Sequence, residues 1–443
     1  MASSVQPSLD QAPPFSIPLL FFLTAPLFGV IAGLLIFFFG PDALVSRWSE
    51  KTLAITHLLT IGVLGMLMCG ALTQILPVVA GSPIPGVRWV GPIVHLLLTL
   101  GTLLLAGGFL SGYPAVFIGA VASLGVGFGL FILVATMALY KSWKASSSVV
   151  AIRLAIIGLL VTIVIGIYLA LQFSGIVNVR NLMLLTNIHL AWGFLGWIGL
   201  LIAGMAFQVL PMFQMTPEYP GWFSRSFPIV IFIVLSSWSL LALFWMPSEE
   251  AYQLVWLIAC IYGLFVPFSL YLQHHRRRKV SDISLFFWGV GLAVLFLVCL
   301  LYLIRHLGLW SSSLPSFALL QGGLLIYGFA ISLTNGMLYK IVPFLAWFHL
   351  QNRKMKVIGV GGVRVPNMKE LLSEPLVQSQ FGFHLAALLV LGLALYRPEW
   401  FSRPFGLLAA LSSALLWFNL YRVVYRYRRV NSGITNFAKE HAR

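Results

Sequence analysis

Apolar residues run along this chain in long unbroken blocks rather than in alternation. Twelve blocks approach or exceed the roughly 20 helical residues that cross a hydrocarbon core of about 30 Å. They lie near residues 16–39, 52–79, 90–110, 113–140, 148–173, 183–213, 226–247, 250–273, 283–304, 314–348, 380–396 and 400–425. Continuous runs predict helices, because the strands of a membrane barrel alternate. Polar residues gather between the blocks. The pattern predicts an all-α polytopic membrane protein of twelve transmembrane helices with no separate soluble domain.

Three blocks share a pattern. His57–Pro77 reads HLLTIGVLGMLMCGALTQILP, His189–Pro211 reads HLAWGFLGWIGLLIAGMAFQVLP, and Gln321–Pro343 reads QGGLLIYGFAISLTNGMLYKIVP. Their first residues are 132 positions apart (189 − 57 and 321 − 189). Each copy closes on Gly-x-x-x-(Gln/Lys)-(Ile/Val)-(Leu/Val)-Pro, at Gly70–Pro77, Gly204–Pro211 and Gly336–Pro343. A fixed period this long marks repeated structural units. Spans 1–4, 5–8 and 9–12 thus form three four-helix units, approximately 16–140, 148–273 and 281–425, in one integral membrane domain over 1–443. The motif lies on the second helix of each unit. The longest connection, 351–380, contains GVGG and then VPNMKELLSEP. Pro366 and Asn367 there are expected to start a short amphipathic helix on the membrane surface, ending before Pro375.

Composition agrees. The chain is 60% hydrophobic and 9% charged, which excludes a water-soluble fold. The net charge of +16 matters through its distribution. With the N-terminus in the cytoplasm, 20 of the 27 Lys and Arg fall on cytoplasmic segments. Arg47, Lys51, Arg180, Arg305, Arg397 and Arg403 fall outside, and Lys340 lies within a span. This positive-inside bias predicts cytoplasmic N- and C-termini in a bacterial-type inner membrane. It makes the lipid bilayer, not nucleic acid, the partner of the basic clusters. Cys69, Cys260 and Cys299 all fall within spans, so no disulfide framework is expected. The N-terminal segment lacks the basic region of a signal peptide and reads as a short lead-in.

The eleven carboxylates all fall in loops, tails or span ends. That disfavours carboxylate-coupled proton pumping and a carboxylate cation site. Histidine, methionine and aromatics remain. Neutral imidazole ligates haem iron and copper, and an unliganded buried ring must find hydrogen bonds instead. His57 and His189, toward the periplasmic ends of spans 2 and 6, are the leading haem or copper ligands. Gln321 holds the third repeat position. His95 and His384 open spans 3 and 11 near the cytoplasmic face and offer an alternative bis-histidine haem site. Arg305 and His306, at the outer end of span 9, are candidates to meet propionates. The methionines read as adaptable packing. Gly62, Gly65, Gly70, Gly193, Gly196, Gly199 and Gly204 either let helices approach closely or make room for a flat macrocycle. Gln74, Gln208, Asn335 and Lys340 are candidates to line pores in a cofactor-free channel or transporter.

Twelve helices in three fours, with candidate ligands on each second helix, resemble the catalytic subunit (subunit I) of haem–copper oxidases and nitric oxide reductases. Span 10 is similar to the C-family oxidases, whose pattern His-x-His-Gly-Gly-x-Leu ends in Tyr-x-(Leu/Ile)-x-Pro. Here the run is Leu319-Leu320-Gln321-Gly322-Gly323-Leu324-Leu325, ending Tyr339-Lys340-Ile341-Val342-Pro343. The resemblance implies that His57 is one of two low-spin haem ligands and that Gln321 stands where the other belongs. Leu319 stands at the high-spin haem ligand. His189 matches one of three copper ligands, and Phe213–Pro247 contains no histidine for the other two. A looser resemblance is to the NnrS family of nitric-oxide stress, although its His-x-His-Glu run is absent. These resemblances imply a haem- or copper-binding protein tied to respiration, with respiratory-chain or assembly subunits as partners and a degenerate site that lacks standard oxygen reduction. Haem would hang from His57, its sixth position open, water-bound or filled by another side chain. A cofactor-free assembly factor, channel or transporter is the alternative.

Overall fold

The structure, a computed structural model, describes residues 13–140, 142, 146–244, 255–277, 279, 282–309, 317–356 and 364–441. Among these residues, twelve helices are long and apolar enough to cross a membrane. They are α1 (Ser16–Leu44), α2 (Glu50–Val79), α3 (Val87–Ser111), α4 (Pro114–Tyr140), α5 (Ser147–Phe173), α6 (Leu182–Gln214), α7 (Gly221–Phe244), α8 (Trp256–His274), α9 (Ile283–His306), α10 (Phe317–Met355), α11 (Glu374–Tyr396) and α12 (Pro398–Ala438). Each matches one expected span. The lead-in over 1–12, the GVGG run and the carboxylates Glu249 and Glu250 lie outside the described residues.

Glycine seats the second helix of each unit against the first. A Cβ on Gly70 of α2 would stand 2.6 Å from the Phe21 Cβ of α1. One on Gly204 of α6 would stand 2.6 Å from the Ala151 Cβ of α5. One on Gly336 of α10 would stand 2.8 Å from the Phe287 Cβ of α9. The motif glycine therefore does the same work three times, letting helix axes approach where lipid supplies no hydrophobic drive. The bundle also closes on itself. Gly33 of α1 and Gly406 of α12 meet backbone to backbone, and a Cβ on Gly406 would lie 2.5 Å from the Phe37 amide nitrogen.

Each of α2, α6 and α10 carries one π-helical segment, at Leu58–Gly65, Trp192–Gly199 and Leu324–Ile331. In each, the motif glycine follows five residues after the segment ends. π-segments are rare and cluster at functional sites.

Helix α12 runs well past residue 425, where hydropathy falls. Arg422–Arg429 are compatible with a helix in water as well as in lipid, so the helix continues where the apolar run ends. The expected short helix forms at Met368–Leu371. Asn367 and Glu370 make a reciprocal capping box, and the Arg426 guanidinium donates to the Glu370 carbonyl.

Lys340 has a partner at the start of α9. Its ammonium pairs with Asp282, which caps α9 through the Ser284 amide at 3.0 Å. Burial works to raise the Asp282 carboxyl, but hydrogen bonds from Lys340 and Ser284 and the Lys340 charge outweigh it and hold the group below its ordinary value. The stabilisation is therefore present above the ordinary carboxyl value of about 3.9 and is lost as pH falls through the lowered folded value. Asp282→Asn keeps a good cap but strands the lysine. A loss of about 1 kcal/mol at neutral pH is expected, read as a lower melting temperature in detergent and partly restored in Asp282→Asn/Lys340→Met. A double variant no more stable than the single one would show that the pair contributes nothing.

Candidate functional site

His57 is the last α-helical residue before the α2 π-segment. Its Nδ1 donates to the Leu53 carbonyl at 2.8 Å. His189 lies three residues before the α6 π-segment, and its Nδ1 donates to the Thr162 carbonyl of α5 at 3.0 Å. A carbonyl only accepts, so Nδ1 carries the proton on both rings and Nε2 keeps its lone pair. A second nitrogen held by a carbonyl is the usual support of a metal-ligating histidine.

The two rings face one space. Their centroids are 6.4 Å apart and their planes 31° from parallel. Both line a cavity of about 710 Å³ walled mainly by apolar side chains of α2, α5, α6 and α10, with α3 and α4 behind. Phe109 of α3 stacks on His57 at 5.4 Å. Gly166 of α5 lies under His189, where a Cβ would stand 2.9 Å from the ring Cε1. Any larger residue there would push the imidazole out of place.

The repeat spacing of 132 between His57 and His189 is a coincidence of counting. Measured from the shared π-segment, His189 and Gln321 each lie three residues upstream and His57 only one. Gln321 is thus the true counterpart of His189, and both stand two residues off the His57 register. The offset does not separate the two histidines, since Ile55, the α2 residue at the His189 register, lines the same cavity as His57.

Gln321 also lines the cavity. The secondary candidates do not. His95 shares its Nε2 with the Thr24 hydroxyl at 2.8 Å. His384 is fully buried, with its Nε2 2.7 Å from the Ser332 hydroxyl and its ring stacked on Tyr327 at 4.7 Å. Each of these two is held by a different neighbouring helix, α1 for His95 and α10 for His384. The Arg305 guanidinium sits over the Phe317 ring at 4.5 Å, and His306 stacks on Trp256 at 6.0 Å. Neither lines the cavity, and neither do Gln74, Gln208, Asn335 or Lys340. Among the described residues, the arginine or lysine that does is Arg47, over the Trp48 ring at 4.5 Å. Sequence reasoning passed over Arg47 because it belongs to the short connection between α1 and α2, where a basic residue is unremarked.

The two uses of glycine separate here. Gly62, Gly70, Gly196, Gly199 and Gly204 face neighbouring helices, whereas Gly65 and Gly193 line the cavity, joined by Gly166, Gly322 and Gly323. Among the described residues, no group of three or more His, Cys, Asp and Glu side chains gathers where it could hold an ion. Donors of these types number two at this site, His57 and His189.

No protein-family model matches the chain, and no curated protein matches its sequence. Among solved structures it is similar to a haem–copper terminal oxidase dimer determined by cryo-EM, with a TM-score of 0.54 and 16% identity. The likeness covers 94% of this chain and 84% of that one. The chain has a haem–copper-oxidase-like fold. On this oxidase-like frame, the two histidines that the sequence resemblance divides between a haem and a copper stand ring to ring.

Proposed function

We propose that this protein holds a haem, or failing that a copper ion, between His57 and His189, and that it does so without the oxidase's oxygen-reducing centre. The observation that carries the reading is the pair of carbonyl-anchored imidazoles facing one apolar cavity. Two imidazoles ligating one ion from opposite sides, with bonds of about 2.0–2.1 Å, place their ring centroids roughly 6 Å apart. The 6.4 Å between the centroids fits. A cavity of about 710 Å³ with glycines along its wall is the right order for a buried macrocycle, and larger than a bare ion needs. Arg47 is the cationic side chain on the cavity wall that would meet a propionate.

When bound, haem supplies one-electron chemistry. The chain's own groups hold it: Leu53 and Thr162 fix the imidazoles, and the apolar wall excludes water. Leu319 and Gln321 at the positions of two further family ligands argue against standard oxygen reduction. Positive-inside charge supports placing the site in the periplasmic half of a bacterial inner membrane.

The test is the absorption spectrum of protein purified from a haem-replete host, oxidised and dithionite-reduced, with metal analysis. A Soret band and a low-spin reduced spectrum are expected. Copper without a Soret band would select the copper form, and neither signal would overturn the proposal.

A further inference from the structure

A second, smaller space lies where α2, α6 and α10 come together, away from the histidines. Its volume is about 80 Å³, and Met68 of α2, Met205 of α6 and Met337 of α10 all line it. Two of the three thioethers, Met205 and Met337, hold the same repeat position. Gly204 and Gly336 are turned outward onto α5 and α9, so the next residue, Met205 or Met337, turns toward the other two inner helices. In α2 the residue after the motif glycine is Ala71, which also lines the space. Met68, one turn earlier on the same face, supplies the sulfur that Ala71 lacks.

The remaining wall is apolar apart from Thr334 and the indole of Trp288. The Thr334 hydroxyl already donates to the carbonyls of Ala330 and Ile331, at 2.9 and 3.1 Å. Among the described residues, no carboxylate, imidazole or amide side chain faces the space. A hard cation would find no oxygen shell here, and an apolar cavity does not hold ordered water well. Thioether sulfur selects soft monovalent metal.

We propose that Met68, Met205 and Met337 form a soft-metal site that takes one Cu(I) or Ag(I) ion at the junction of α2, α6 and α10. It stands independently of any cofactor at His57 and His189. The thioethers are neutral, so the site binds without releasing protons.

The test uses the full chain purified in detergent. It is titrated with Ag(I), and with Cu(I) against a chromophoric competitor, and the metal's surroundings are read by X-ray absorption. Wild type is expected to bind one ion in a sulfur-only shell and to show quenched indole fluorescence, since Trp288 lines the space. Met205→Leu/Met337→Leu keeps the volume nearly unchanged. It should lose that one ion while keeping its melting temperature and whatever the histidines bind. Met68→Leu alone, the milder variant, should weaken binding at least about tenfold. Exposed methionines such as Met183 and Met355 and the free thiols of Cys69, Cys260 and Cys299 give a background common to all variants, over which the one ion is counted. Unchanged tight stoichiometry in both variants, or a metal shell without sulfur, would overturn the site and leave the methionines as packing.

Discussion

His57→Ala and His189→Ala are each expected to convert a low-spin haem into a high-spin one that binds carbon monoxide when reduced, and the double variant to retain almost no haem. The symmetry is the point. If both imidazoles ligate one iron, losing either opens the same coordination position, so both single variants gain the same reactivity. Two separate centres behave differently: His189→Ala would then leave the haem spectrum untouched and remove only copper. The neighbours of the rings refine the expectation. His57 is anchored on its own helix, at Leu53, and stacks on Phe109. His189 is anchored across helices, at the Thr162 carbonyl of α5. Loss of His57 therefore leaves a ligand whose position depends on how α5 and α6 pack, and its haem affinity should fall further. His95→Ala and His384→Ala should keep the wild-type spectrum, because Thr24 and Ser332 already engage their Nε2 atoms. Loss of haem in either of those, with the His57 and His189 variants intact, would move the cofactor to the other end of the bundle.

The spans were legible because twenty apolar residues in a row have few alternatives to a membrane helix. Where polar residues kept the helix going, as from Arg422 onward in α12, hydropathy stopped short of the true end. The repeat was legible through its closing Gly-to-Pro run, and that run does organise the packing at Gly70, Gly204 and Gly336. The convergence of His57 and His189 was hidden for two reasons. The π-segments carry no pattern that hydropathy detects, so the even spacing of 132 looked like true register. The family resemblance then assigned the histidines to different centres, although both rings line one cavity. The double meaning of the glycines also needed coordinates. Nothing in the string distinguishes Gly196, pressed against α5 and α7, from Gly193, open to the cavity.

Gly158→Ala is expected to damage stability and the site together. A Cβ at Gly158 of α5 would collide with the carbonyl group of Gly196 in the α6 π-segment, 2.6 Å from its carbon. Both contacts are backbone, so no side chain can rotate away and the helices themselves must separate. Overpacking of this kind costs about 1–3 kcal/mol. The Gly158 carbonyl accepts the Thr162 hydroxyl at 2.7 Å, and the Thr162 carbonyl accepts His189 Nδ1 at 3.0 Å. Displacing α5 therefore carries the His189 anchor with it. The variant should melt several degrees lower and show part of its haem high-spin, although neither histidine has been touched. Gly129→Ala on α4, where a Cβ meets nothing within 4 Å, should leave both readouts unchanged. A Gly158→Ala protein with wild-type melting and a wild-type spectrum would mean that α5 and α6 do not cross this closely. It would also mean that His189 is not held through α5.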